Sequence, residues 1–165
     1  AGASTLHVGA HGVLERRIDL RGDQLEAALA ALPHEMTHVV LADLFSDLPP
    51  PVWADEGMAT LADLPSKQAR HAADLRTALV SGRCYRVVEL LVMEDYPPPS
   101  RMHVFYAQSA SLVQFLAELG GRESVPRFVL AAREVGYDAA VRSLYRLDGV
   151  GELEERWRRH AAGQR

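Results

Sequence analysis

The chain has one cysteine (Cys84), one lysine (Lys67), one isoleucine (Ile18) and no asparagine. A lone cysteine cannot close an intramolecular bridge, so a disulfide-stapled scaffold is excluded and the fold must rest on packing or on metal. Cys84 itself reads as an inert, packed thiol. No apolar stretch approaches the roughly 20 residues a bilayer crossing needs, the longest being broken by Pro33, Asp43 and Glu94. Clustered positive charge is missing too. The 18 basic residues face 22 acids for a net charge of −4, and basic runs are short: Arg16-Arg17 and Arg156 to Arg159. That argues against the phosphate-neutralising surface of a nucleic-acid binder. There is no internal repeat and no low-complexity tract. The sequence opens at Ala1 without methionine or a charged, apolar leader, which leads us to expect a processed product or a piece of a longer chain.

What is present is ordinary in composition: 165 residues, 48% hydrophobic and 24% charged. These values fit one domain spanning residues 1–165 with a sizeable core. Thr5 to Val8 and Val13 to Leu20 carry alternating and β-branched residues around a glycine-containing turn, and predict a hairpin. From Gln24 to before Ser46, Leu25, Ala28, Leu29, Leu32, Met36, Val39, Val40 and Leu44 recur at helical spacing and predict an amphipathic helix. Pro33 lies inside it and cannot donate to the carbonyl of Leu29, so a kink or restart is expected there.

After the rigid Leu48 to Pro51 loop, helices are expected over Val52 to Leu64 and Ser66 to Val80, the latter closed by Gly82. Tyr85 to Met93 is apolar and compatible with strand or helix, with helix favoured. A second proline run, Pro97 to Pro99, precedes a strongly periodic helix carrying Val104, Phe105, Leu112, Phe115, Leu116 and Leu119 and stopping at Gly120-Gly121. Helices over Glu123 to Val135, Asp138 to Leu144 and Gly151 to Ala161 complete the chain. The fold class is therefore α+β, mostly α, with a small N-terminal β element packed on the helices.

One pentapeptide carries chemistry. His34-Glu35-Met36-Thr37-His38 matches HExxH, in which residues four apart share a helix face, so both imidazoles can reach one zinc ion while the intervening glutamate stands beside a water. Random placement of 7 histidines among the other residues would produce it about 0.02 times in a chain of this length. A catalytic zinc site needs a third protein ligand and one open position. Glu56, in Trp53-Ala54-Asp55-Glu56-Gly57 and eighteen residues past His38, is the candidate. The proline loop can fold its helix back against the first.

HEMTH followed by WADEG resembles the gluzincin metallopeptidases, including thermolysin-like and aminopeptidase N-like enzymes and the compact peptidase MA-like domains. The later block Phe105-Tyr106-Ala107-Gln108-Ser109 is similar to the tyrosine-led helix of the last two groups. The resemblance spans His34 to Gly121 and implies a zincin-like domain with one zinc ion on His34, His38 and Glu56. It implies Glu35 as general base for a metal-activated water attacking a peptide carbonyl, and Tyr106 as the hydroxyl that steadies the oxyanion. Asp63, seven residues past Glu56 on the same helix face, is placed to orient a ligand histidine. His103, three residues before Tyr106, is the weaker candidate for the oxyanion donor. Gln-Ser stands where aminopeptidases carry Lys-Gly, and no GAMEN-like exopeptidase sequence occurs, so an endopeptidase acting on a peptide or protein substrate is favoured. The front hairpin offers an edge for an extended substrate segment.

The competing readings are a zinc-held binding or scaffold module without catalysis, a latent peptidase plugged by its own C-terminal segment, and a metal-free helical interaction domain. Other polar residues read as structural. His7 and His11 are four apart in a turn and not on a helix. His71 and His160 are expected to face solvent, and Trp53 and Trp157 to anchor packing.

Overall fold

The computed structural model describes residues 2–9, 12–20, 22–45 and 48–163. Strands β1 (Gly2–Gly9) and β2 (Gly12–Leu20) form an antiparallel hairpin, longer at its open end than the β-branched residues alone predict. Leu6 pairs with Arg16 and Gly9 with Gly12, with a register shift between His7 and Val8. Among the described residues eight α-helices follow: α1 (Leu25–Leu44), α2 (Val52–Leu61), α3 (Pro65–Val80), α4 (Val87–Leu91), α5 (Met102–Gly120), α6 (Ser124–Val135), α7 (Tyr137–Tyr145) and α8 (Gly149–Gly163). The fold is mostly α with a small β element in front, and the Tyr85 to Met93 stretch forms the short helix α4. Among the described residues no helix is long and apolar enough to cross a membrane.

Helix α5 is the axis of the core. Phe105, Leu112 and Leu116 are fully buried, and Trp53 of α2, Phe128 of α6 and Trp157 of α8 close around the helix with no exposed surface. Both tryptophans are packing anchors, and the Trp157 indole donates to Ser111 Oγ at 3.1 Å. Gln108 is buried as well and clamps the backbone of Tyr85 in both directions, accepting from its N–H at 2.8 Å and donating to its carbonyl at 2.9 Å. The Gln-Ser pair that departs from the aminopeptidase pattern thus has a structural duty here: its first residue satisfies a buried backbone that would otherwise be orphaned. Cys84 is half-buried, and burial pushes its thiol up, which keeps it protonated and inert.

Two expectations for α1 need correction. The helix does not restart at Pro33 but continues through it as one element. The carbonyl of Leu29, which loses its donor, belongs to a residue on an exposed face, where water can replace the missing N–H. Second, the apolar periodicity does not mark the buried side. Leu25, Leu29, Met36, Val40 and Leu44 are all about half exposed or more, whereas Ala28, His34, Glu35 and Leu41 face inward. The hairpin and α2 are the neighbours of α1, and an exposed ion pair from Arg16 to Asp43 joins β2 to it.

Candidate metal centre

The centre forms where α1 and α2 face one another. Arg133 of α6 reaches across the chain to donate to the carbonyls of Leu48 at 2.9 Å and Pro49 at 2.5 Å, and its guanidinium lies 5.2 Å from the ring centre of buried Phe45. This fixes the proline loop that turns α2 back on α1. Pro51 then accepts from the N–H groups of Ala54 and Asp55, starting α2 with Asp55 in its first turn, where a carboxylate complements the helix dipole. From its far side α2 is pressed against α5. A Cβ on Gly57 would come within 2.7 Å of both the Ser109 carbonyl oxygen and Val113 Cγ2, so only glycine permits this approach.

Within this frame His34, His38 and Glu56 come together, with one ligand atom from each lying within 4.8 Å of the others. Glu56 Oε2 is 3.3 Å from His34 Nε2 and 3.9 Å from His38 Nε2. Three donors each about 2.1 Å from a tetrahedral ion are separated by about 3.4 Å, close to the spacing of Glu56 Oε2 from the His34 nitrogen and somewhat below its spacing from that of His38. Glu56 is buried, yet Oε2 has no hydrogen-bond partner, the kind of orphaned acceptor that calls for a missing ion or proton. These three residues form a group that could hold a metal ion.

Each imidazole is backed from behind. His34 Nδ1 is 3.3 Å from Asp63 Oδ1 and His38 Nδ1 is 3.0 Å from Asp55 Oδ1. Neither contact is aligned as a full hydrogen bond in this arrangement, but both carboxylates stand where they would hold the tautomer that leaves Nε2 free to ligate. Asp63 also accepts from Lys67 Nζ at 2.9 Å. Asp63 reaches His34 by another route than the one its spacing predicted: α2 ends at Leu61, short of the expected Leu64, so Asp63 lies in the turn before α3 and not on the helix face of Glu56. Asp55 is an addition: its position next to Glu56 was on view in the sequence, but not how α2 packs on α1.

The electrostatics follow from this packing. For His34, burial favours the neutral ring, but the contacts with Asp63 and Glu56 outweigh it and raise the pKa to about 9. For His38, burial is likewise outweighed, here by Asp55 and Glu56, and the shift is upward. Burial opposes ionisation of Glu56 and Asp63, yet the shared contact with His34, helped by Tyr96 for Glu56 and by Lys67 for Asp63, holds both carboxyls below their usual range. Without metal the group is a buried, charge-paired cluster.

Glu35 is buried beside His34. Tyr106 projects from α5 half-buried, its ring 5.6 Å from that of Phe105. Burial, then the charges of Glu56, Glu35 and Asp63, push its hydroxyl up to about 12, so it is a neutral proton donor at physiological pH and lies in the electrostatic reach of the centre. His103 is exposed on the first turn of α5 and outside the His34, His38 and Glu56 group.

Three residues near the centre escaped sequence reasoning or were misplaced by it. Besides Asp55, Tyr96 donates its hydroxyl to Glu56 Oε1 at 2.5 Å. His71, expected in solvent, is instead largely buried, 3.8 Å from Asp63 and with its ring 6.2 Å from that of Tyr106. Its i, i+4, i+8 relation to Lys67 and Asp63 was the available signal. His160 is likewise only partly exposed, packed 5.0 Å from the Phe115 ring and 3.5 Å from Glu118. His11 and the side chain of His7 lie outside the described residues.

Comparison with protein-family models, with curated proteins and with solved structures finds no match for this chain.

Proposed function

We propose that the chain is a zinc-dependent peptidase of the gluzincin, peptidase MA-like type, with one zinc ion on His34, His38 and Glu56. The observation that carries this reading is the convergence of two carboxylate-backed imidazoles on the unpartnered Oε2 of a buried glutamate. A donor set of two imidazole nitrogens and one carboxylate oxygen suits zinc and leaves room for a further ligand. A zinc ion there would supply Lewis acidity toward a carbonyl oxygen and make a water acidic enough to attack near neutral pH.

The residues of the chain do the rest. Glu35, in the same turn as His34, takes the proton of the attacking water and passes it to the leaving amine. Tyr106 donates to the oxygen that becomes negative, a contribution of about 3 kcal/mol for comparable donors. The hairpin packs beside α1 and would offer an edge to which an extended peptide segment could add as a strand, in keeping with cleavage within a chain.

Glu35→Gln tests the reading. Zinc per chain, by elemental analysis, is expected to stay near one, while cleavage of a fluorogenic peptide library falls by about 10²–10⁴-fold. Zinc bound equally by both forms with no chelator-sensitive cleavage by the unaltered chain would make the protein a metal-held scaffold instead.

A further inference from the structure

Tyr96 lies in the segment joining α4 to α5 and is 49% exposed, an unusual place for a side chain in contact with a buried carboxylate. Its hydroxyl donates to Glu56 Oε1, leaving Oε2 turned to the two imidazoles. A carboxylate with both oxygens free can rotate and offer either to its neighbours, or both. Tying one oxygen to a phenol stops that rotation. We propose that Tyr96 is a positioning residue that fixes Glu56 for metal binding by engaging Oε1 and presenting Oε2 alone, an inference that rests on the metal-site reading above.

The surrounding structure makes the hold firm. The Tyr96 ring meets the fully buried Phe105 edge-on, with centroids 5.9 Å apart and planes at 74°. Three prolines follow, Pro97 to Pro99, each with φ locked by its ring. Just beyond them Arg101 pins the segment: it donates to the Arg83 carbonyl at 2.7 Å, and its guanidinium lies 4.0 Å from the centre of the Tyr85 ring. The phenol therefore meets Glu56 from a braced strap. Because the Tyr96 hydroxyl is already committed to Glu56, it is not free to donate to a reacting oxygen, which leaves that duty to Tyr106.

A binding experiment on the phenol hydroxyl tests this. Tyr96→Phe keeps the ring against Phe105 and removes only the hydroxyl. In the full chain, competition with a chromophoric chelator is expected to show zinc held about 10–100-fold more weakly, as for other residues that orient metal ligands. Cobalt(II) substituted for zinc should show visible bands changed in position or intensity. A purely packing role for the phenol would instead lower the melting temperature of the chelated protein while leaving affinity and cobalt spectrum unchanged, and that result overturns the proposal. Tyr96→Phe indistinguishable from the unaltered chain in affinity and spectrum also overturns it, with the metal-site reading intact. Failure of the unaltered chain to bind either ion overturns both.

Discussion

Helices α1 and α5 are nearly equal in length, 20 and 19 residues, and treat their side chains in opposite ways. In α5 eleven residues are buried, among them Val104, Phe105, Leu112, Val113, Phe115 and Leu116. Its buried polar groups are used to join parts of the fold: Gln108 holds the Tyr85 backbone and Ser111 receives the Trp157 indole. In α1 four residues are buried, and two of them are His34 and Glu35, while five large apolar side chains stay in contact with water. Burying imidazoles and carboxylates without full partners costs free energy, and α1 gains little apolar burial to offset it. The cohesion of the molecule therefore comes from α5 and its neighbours. The two candidate histidine ligands therefore sit on the helix of this pair that buries less apolar surface, and α5 supports α2, which carries the third.

The comparison can be broken most directly by truncation. Leu112→Ala, in the centre of α5, should lower unfolding free energy by about 2–5 kcal/mol, whereas Met36→Ala, inside HEMTH but 51% exposed, should change it by about 0.5 kcal/mol or less. Denaturant titration of the metal-free protein measures both, and equal losses would erase the distinction.

Gly57→Ala probes the junction between the two regions. The added methyl must displace the Ser109 carbonyl or the Val113 side chain, an overpacking cost of about 1–3 kcal/mol. Because Glu56 is the next residue, zinc affinity should fall along with stability. Loss of stability with unchanged affinity would show that the ligand helix tolerates a shift of its support.

A gentler test uses pH. The pKa of His34 is about 9 in the folded, metal-free state, against about 6.5 for an unperturbed histidine. The stabilisation from its pairing is fully present below pH 6.5 and is lost as pH rises toward 9. The upward shift of His38 acts in the same direction. The lowered carboxyls of Glu56 and Asp63 act at the other end, their contribution disappearing only as pH falls through the acidic range. Chelated protein should therefore melt at progressively lower temperature from about pH 6.5 to 9. Zinc competes with protons for the same nitrogens, so its affinity should rise across that window. A melting temperature that is flat there would mean that the cluster does not carry its protons as described.

The sequence made the helices and the histidine pair legible because both follow from periodicity. Residues four apart share a helix face, which pairs His34 with His38, whereas a spacing of seven from Glu56 misplaced Asp63, because α2 ends at Leu61 and Asp63 lies in the turn beyond it. The same logic misread α1, since it assigns apolar residues to the inside, and here the inside is occupied by His34 and Glu35. Asp55 was hidden for a geometric reason. Its neighbour Glu56 takes the metal-facing direction, and only the crossing of α1 and α2 reveals that Asp55 faces His38. Tyr96 left no trace at all, because a residue in a proline-rich connection has no period to betray its direction.

The tether from Arg133 to the Leu48 and Pro49 carbonyls bears on the order of assembly. All three candidate ligands have been synthesised by position 56, but the parts that aim them arrive much later: Tyr96 from a connecting strap, the α5 surface that receives Gly57, and last the arginine on α6. A chain still emerging thus carries the histidines and the glutamate without the architecture that brings them together. Competence for metal would then be acquired late, once the C-terminal helices have docked, so an unfinished polypeptide would not yet hold an ion there.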